Sequence, residues 1–180
     1  MRLSFFIVDE FYVDIDEVRD WALTLAYDRG QSSEGFLPPG LDDAVADIIK
    51  QRVVGSGRPD HGRFRLNGAG AQGGDIQSDP ALAWSAVLYM SRPEDCLGGT
   101  GFYSNIADGS DGAASIDEAK EILARDGGDA TRWEHLFTVP MRYNRLVLYR
   151  PEQWHAPAPG FGLVPADQCL QQTFAFAAAG

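Results

Sequence analysis

Three side chains in this sequence have types and spacings suited to chemistry: Gln77, Asp79 and His155. Gln77 and Asp79 lie two apart in Gln77-Ser78-Asp79, so an extended backbone would turn both side chains to one face. A carboxylate joined by a distant imidazole can hold a hard divalent metal, and the amide oxygen of Gln77 could add a third ligand. Three donors on one face leave the opposite coordination positions open for reactants. Glutamine is the weak member of such a set. Its oxygen is a poorer donor than imidazole nitrogen, and it lacks a second ring nitrogen by which the protein could anchor it. The same residues also have a plain structural reading, because Asp79-Pro80 favours a polar turn and His155 could be an ordinary surface histidine. Without metal, Asp79 or His155 would serve as acid or base, a role imidazole fills near neutral pH.

The remaining histidines lack ligand-like spacing. His135 reads as surface and His61 as loop; His61 could add a second imidazole to the set only if its loop folds over the sheets. The two cysteines, Cys96 and Cys169, make neither a disulfide framework nor a zinc motif. No cation adjacent to Cys169 in sequence lowers its pKa, so it reads as buried and inert.

The elements that must position these groups follow from apolar periodicity. Residues 3–8 predict a strand. Ile15, Val18, Trp21, Ala22 and Leu25 recur at three- and four-residue steps and predict a helix that follows Asp14 and runs through about Tyr27, opened by a capping box of Asp14 and Glu17. Pro38-Pro39-Gly40 marks a turn, and Leu41, Val45, Ile48 and Ile49 mark a second amphipathic helix. After Gly55-Ser56-Gly57 the chain changes to short apolar runs at 64–66, 83–90, 101–104, 136–139, 145–149 and 170–177. Many are rich in aromatic or β-branched residues, as packed strands should be. Helices first and strands afterwards argue for an α+β fold, a β-sandwich or jelly roll flanked by helices. Residues 105–132 interrupt the strands with Gly-, Asp- and Ala-rich sequence and a short helix at 116–125, which reads as a lid or as a solvated excursion. The chain is thus read as a single domain, 1–180, with residues 1–57 as an N-terminal strand and helices and 58–180 as the β core.

Composition narrows the function. The 180 residues carry a formal charge of −11, from 26 acidic and 15 basic residues, and show no basic cluster. Nucleic acid and anionic membranes are therefore poor partners, and a small-molecule substrate is expected. No apolar run approaches the roughly 20 residues that span a bilayer, and the opening run is too short for a signal peptide, so a cytoplasmic location is expected. Oligomeric state is not legible, because no amphipathic segment is left over once the core is assigned.

Several segments taken in order resemble a known family. They are Phe11-Tyr12 with Val18-Arg19-Asp20-Trp21-Ala22-Leu23, Asp79 with residues 84–89, Gly98-Gly99-Thr100-Gly101-Phe102-Tyr103, residues 139–149, and His155 with Phe161-Gly162. The ordered set resembles the prolyl-4-hydroxylase-like branch of the Fe(II)/2-oxoglutarate-dependent oxygenases, and looks closest to a bacterial family within it. The resemblance implies a double-stranded β-helix (jelly roll, cupin-like) with N-terminal helices packed on one sheet. It implies that Asp79 and His155 are catalytic and hold Fe(II), with Gln77 as third ligand where the family has histidine. It also implies a 2-oxoglutarate site near Tyr89, Arg145, Cys169 and Gln171. There the family places an arginine followed two residues later by Thr or Ser, where this chain reads Cys169-Leu170-Gln171. A thiol and an amide cannot form the bidentate, charge-assisted clamp of a guanidinium. Arg145, Arg65 or Arg63 could supply a replacement cation if it points inward, although Arg145 could equally pair with an acidic neighbour. The implied function is a non-canonical non-haem iron oxygenase-like enzyme of bacterial specialised metabolism, acting on a small molecule or amino-acid-derived intermediate. The alternatives are a non-redox isomerase, cyclase or lyase in the same fold, or a metal-free binding protein.

Overall fold

Residues 5–71, 74–157 and 159–179 are described by the computed structural model. Strands β1 (Phe5–Asp9), β2 (Tyr27–Asp28), β3 (Gln31–Gly35), β4 (Val53–Gly55), β5 (Arg63–Asn67), β6 (Trp84–Tyr89), β9 (Arg145–Tyr149) and β11 (Cys169–Ala178) form one antiparallel sheet. Its order is β1-β9-β6-β11-β5-β3-β2, with β4 also on β11. A smaller sheet, β10-β7-β8, combines His155–Pro157, Gly99–Asn105 and Trp133–Pro140. Helices α1 (Ile15–Thr24) and α2 (Leu41–Ile49) lie on the outer face of the large sheet, and α3 (Ile116–Asp126) lies in the 105–132 segment. This is the α+β jelly roll with helices on one sheet that the sequence predicts.

The two-residue period of the strands sorts side chains between two cores. On β11, Leu170, Phe174 and Phe176 join Ile15, Ala22, Leu41 and Val45 in the helix-side cluster. Cys169 instead faces the small sheet, with Val87, Tyr89, Phe102, Val147 and Tyr149. Gln171 and Thr173, in the same phase as Cys169, border the space between the sheets toward its open end. Arg19, buried on α1, ties that helix to the strands by donating to the carbonyls of Met90 (3.1 Å) and Ala166 (2.7 Å).

Some local details differ from the sequence reading. The capping box at Asp14 does not form, since the Asp14 side chain makes no cap hydrogen bond. Helix α1 stops at Thr24 because the next residues enter a hairpin turned by Arg29 (φ 48°) and Gly30 (φ 79°), both left-handed as a two-residue hairpin loop requires. The 105–132 segment contributes no residue to the inter-sheet cavity and is largely solvent-exposed, as an excursion would be, but it is anchored on one side. Its Ala113, Ala119 and Ile122 pack with Trp133 and the fully buried Trp154 in a third apolar cluster. Trp154 donates from Nε1 to Ser110 Oγ (3.1 Å) and from its backbone to Asp111 (3.0 Å), which fixes the residue immediately before His155.

Candidate functional site

Backbone pairing brings the three candidate ligands together. The Gln77 N–H donates to the His155 carbonyl (2.9 Å), and the His155 N–H donates back to Gln77 (3.1 Å). In such an antiparallel pair the two side chains stand side by side on one face. Two residues on, the Asp79 N–H donates to the Pro151 carbonyl (2.6 Å), while Ser78 Oγ donates to Glu152 (2.7 Å). Gln77, Asp79 and His155 all line one cavity of about 210 Å³ between the sheets, together with Arg58, Arg65, Thr100, Tyr149 and Gln171.

His155 is set up as a neutral ring. It is 5 % exposed, its Nδ1–H donates to the Gln153 carbonyl (2.8 Å), and Tyr149 packs edge-on with centroids 4.6 Å apart. Burial pushes its pKa down to about 4. Nε2 is therefore the nitrogen with the lone pair, able to ligate a metal or take a proton. The stability consequence has a definite sign. An imidazole that titrates near 6.5 in the unfolded chain and near 4 in the fold makes the unfolded state the better proton binder between those values. Metal-free protein should thus lose about 3 kcal/mol of stability as pH falls from 6.5 to 4, and His155→Gln should flatten that slope in urea titrations.

Asp79 carries a cation already. Both guanidinium nitrogens of Arg58 bond its carboxylate, Nη1 to Oδ2 and Nη2 to Oδ1 (3.2 Å), and the Ala81 N–H donates to Oδ1 (3.3 Å). Among the described residues no group of three or more His, Cys, Asp or Glu is placed to hold a metal ion. A metal at this place would accordingly depend on the Gln77 amide. The donor set of one imidazole nitrogen, one carboxylate and one amide oxygen suits a hard divalent ion such as Fe(II), and the guanidinium on Asp79 shows that positive charge is accommodated there.

The remaining predicted residues separate into two groups. Gln171 borders the cavity. Tyr89 stands one step behind it, hydrogen-bonded through its hydroxyl to the cavity residue Thr100 (2.7 Å). Cys169 does not border the cavity. It lies in the apolar inter-sheet core beside Tyr89 and Phe161, where burial raises its thiol to about 11. Arg145 is also not among the cavity-lining residues, because Asp9 captures its guanidinium at the strand end (Nε to Oδ1 2.6 Å, Nη2 to Oδ2 3.0 Å). Arg63 donates to the Ser32 carbonyl (2.7 Å). Arg65 does line the cavity, paired across the ladder with Gln171. His61 cannot stand in for the missing imidazole, since its Nδ1 accepts the Ala175 N–H (3.0 Å) and its ring packs on Phe174 and Phe176. His135 is exposed, as its spacing suggests, and bonds Thr138 (2.8 Å).

Sequence reasoning missed Arg58, Thr100 and Tyr149. Tyr149 ends a strand whose phase could have shown it. Arg58 sits in an irregular loop, Gly57-Arg58-Pro59-Asp60, with no pattern to reveal its partner.

The fold is one that the chain shares with solved structures of low sequence identity, and it is the jelly roll that the sequence resemblance implies. The chain is similar to HygX from Streptomyces hygroscopicus, solved with nickel and 2-oxoglutarate bound, at 12 % identity and a TM-score of 0.53, over 98 % of this chain and 83 % of that one. It is similar to EctD from S. alaskensis, solved with 2-oxoglutarate and 5-hydroxyectoine, at 13 % identity and a TM-score of 0.55, over 98 % and 73 %. It also matches EvdMO1 at 15 % identity and a TM-score of 0.57, over 98 % of this chain and 48 % of that one, so it spans about half of that protein's length. No protein-family model and no curated sequence matches the chain. Among the described residues no helix is long and apolar enough to cross a membrane.

Proposed function

We propose that this chain is a non-haem iron oxygenase-type enzyme acting on a small, carboxylate-bearing molecule, with the metal on His155, Asp79 and Gln77. The observation that carries this reading is the backbone pair that sets Gln77 against His155, with Asp79 two residues on at the same cavity. Iron on these donors would supply the activation of dioxygen for oxidation of a substrate. The protein's own part is orientation and exclusion of water. Gln153 holds the His155 tautomer that leaves Nε2 available, and Tyr149 shields one side of the ring. Arg65 takes over the carboxylate-anchoring role that Cys169 and Gln171 cannot perform, since it lies on β5 directly opposite Gln171. The 2-oxoglutarate present in the HygX and EctD structures supports a small dicarboxylate as one such ligand.

The test is ligand-dependent stabilisation of Mn(II)-loaded protein by 2-oxoglutarate. A charge-assisted anchor is worth roughly 1.5–3 kcal/mol, so Arg65→Ala should weaken the acid about 10- to 100-fold while leaving Mn(II) affinity unchanged. Equal binding by parent and variant would remove Arg65 from the site. A second reading, a non-redox isomerase or lyase, draws support from the Arg58–Asp79 pair and from a neutral His155 placed to act as base. Turnover of a small substrate by chelator-treated protein would favour it.

A further inference from the structure

Arg58 is delivered to the cavity by an anchored loop. The Ser56 N–H donates to Ala175 (2.9 Å), the Gly62 N–H donates to Thr173 (2.8 Å), and His61 Nδ1 accepts from the Ala175 N–H (3.0 Å). The loop from β4 to β5 is thereby stitched to β11 on both sides of Arg58. At its tip the guanidinium forks onto both oxygens of Asp79, the geometry in which arginine holds a carboxylate most firmly. Neither partner is sealed in: the side chains are 39 % and 32 % exposed. Such a pair can open into solvent without disturbing the fold.

We propose that Arg58 is an internal counter-cation that competes with a divalent metal for Asp79, so that metal entry requires the guanidinium to leave. The inference rests on the metal reading above. A divalent ion and a guanidinium on the same carboxylate repel one another across a few ångströms, so both cannot keep full contact with it. Asp60, which also lines the cavity and already stabilises the charge of Arg58, is placed to receive the displaced group. The metal-free site then keeps its carboxylate neutralised, and the weak Gln77 ligand faces a competitor that a two-histidine site would overcome more easily.

Calorimetric titration with Mn(II) under anaerobic conditions tests this on the full chain, without reliance on turnover. Arg58→Gln should bind Mn(II) about tenfold more tightly than the parent, the ratio that 1.4 kcal/mol represents, and Arg58→Lys, which keeps the charge but loses the fork, should fall between them. The metal-induced rise in melting temperature should grow in the same order, with circular dichroism confirming that each variant folds. If the parent binds Mn(II) and Arg58→Gln binds no tighter, the competition is refuted while the metal site stands. If the parent, Arg58→Gln and Gln77→His all fail to bind, the metal reading falls and this inference falls with it.

Discussion

Replacing Gln77 by histidine is expected to tighten Mn(II) binding by about 10- to 100-fold, the scale on which a well-oriented imidazole outperforms a neutral amide at such sites. The backbone makes this substitution unusually direct. Gln77 and His155 exchange both of their main-chain hydrogen bonds, so a new imidazole would project beside the existing one, with Asp79 lining the same cavity two residues on. The change needs no rearrangement of the strand, because the pairing does not involve the side chain. Calorimetry of parent and variant measures the ratio. An unchanged affinity would mean that the side chain at 77 does not reach the ion.

Gln172→Leu should have the largest effect on stability. Gln172 is fully buried; its Oε1 accepts the Tyr12 hydroxyl (2.9 Å), and its Nε2 donates to the carbonyls of Phe36 (2.7 Å) and Gly62 (2.8 Å). This one amide joins the segment before α1, the segment after β3 and the loop before β5 to β11. Leucine fills the volume but leaves the Tyr12 hydroxyl and the Phe36 carbonyl without that partner, while the Gly62 carbonyl keeps the Phe36 N–H (2.9 Å). At about 1–3 kcal/mol for each of the two orphaned groups, a loss of roughly 2–4 kcal/mol is expected in urea denaturation, allowing for partial relaxation. Gln172 does not line the cavity, so metal affinity measured well below the melting temperature should be preserved. A loss under 1 kcal/mol would show that the network re-forms without it.

These cases show which parts of the protein were legible beforehand. Strands β6, β9 and β11 announce themselves because both of their faces are buried, which writes near-continuous apolar runs into the sequence. The hairpin of β2 and β3 does not, since Gln31–Gly35 is polar and mostly exposed. Strand β10 is short and ends in Pro157, a residue that reads as turn. Within the site, the two-residue spacing of Gln77 and Asp79 is visible in the sequence and both line the same cavity, although only Gln77 makes a bridge to a strand. The fate of the arginines is different. Arg65 reaches the cavity and Arg145 is taken by Asp9, although both belong to strands, because each outcome depends on register and on what stands at the strand end. The Arg58–Asp79 pair joins two irregular segments, and no periodicity connects them.

The central claim is that Gln77, Asp79 and His155 form a single metal centre. Anaerobic titration of Fe(II) into the parent, Asp79→Ala and His155→Ala tests it most directly. The account predicts one ion bound per parent chain, with affinity lowered by about 100-fold or more when either side chain is removed. Equal Fe(II) affinity in all three proteins would contradict it.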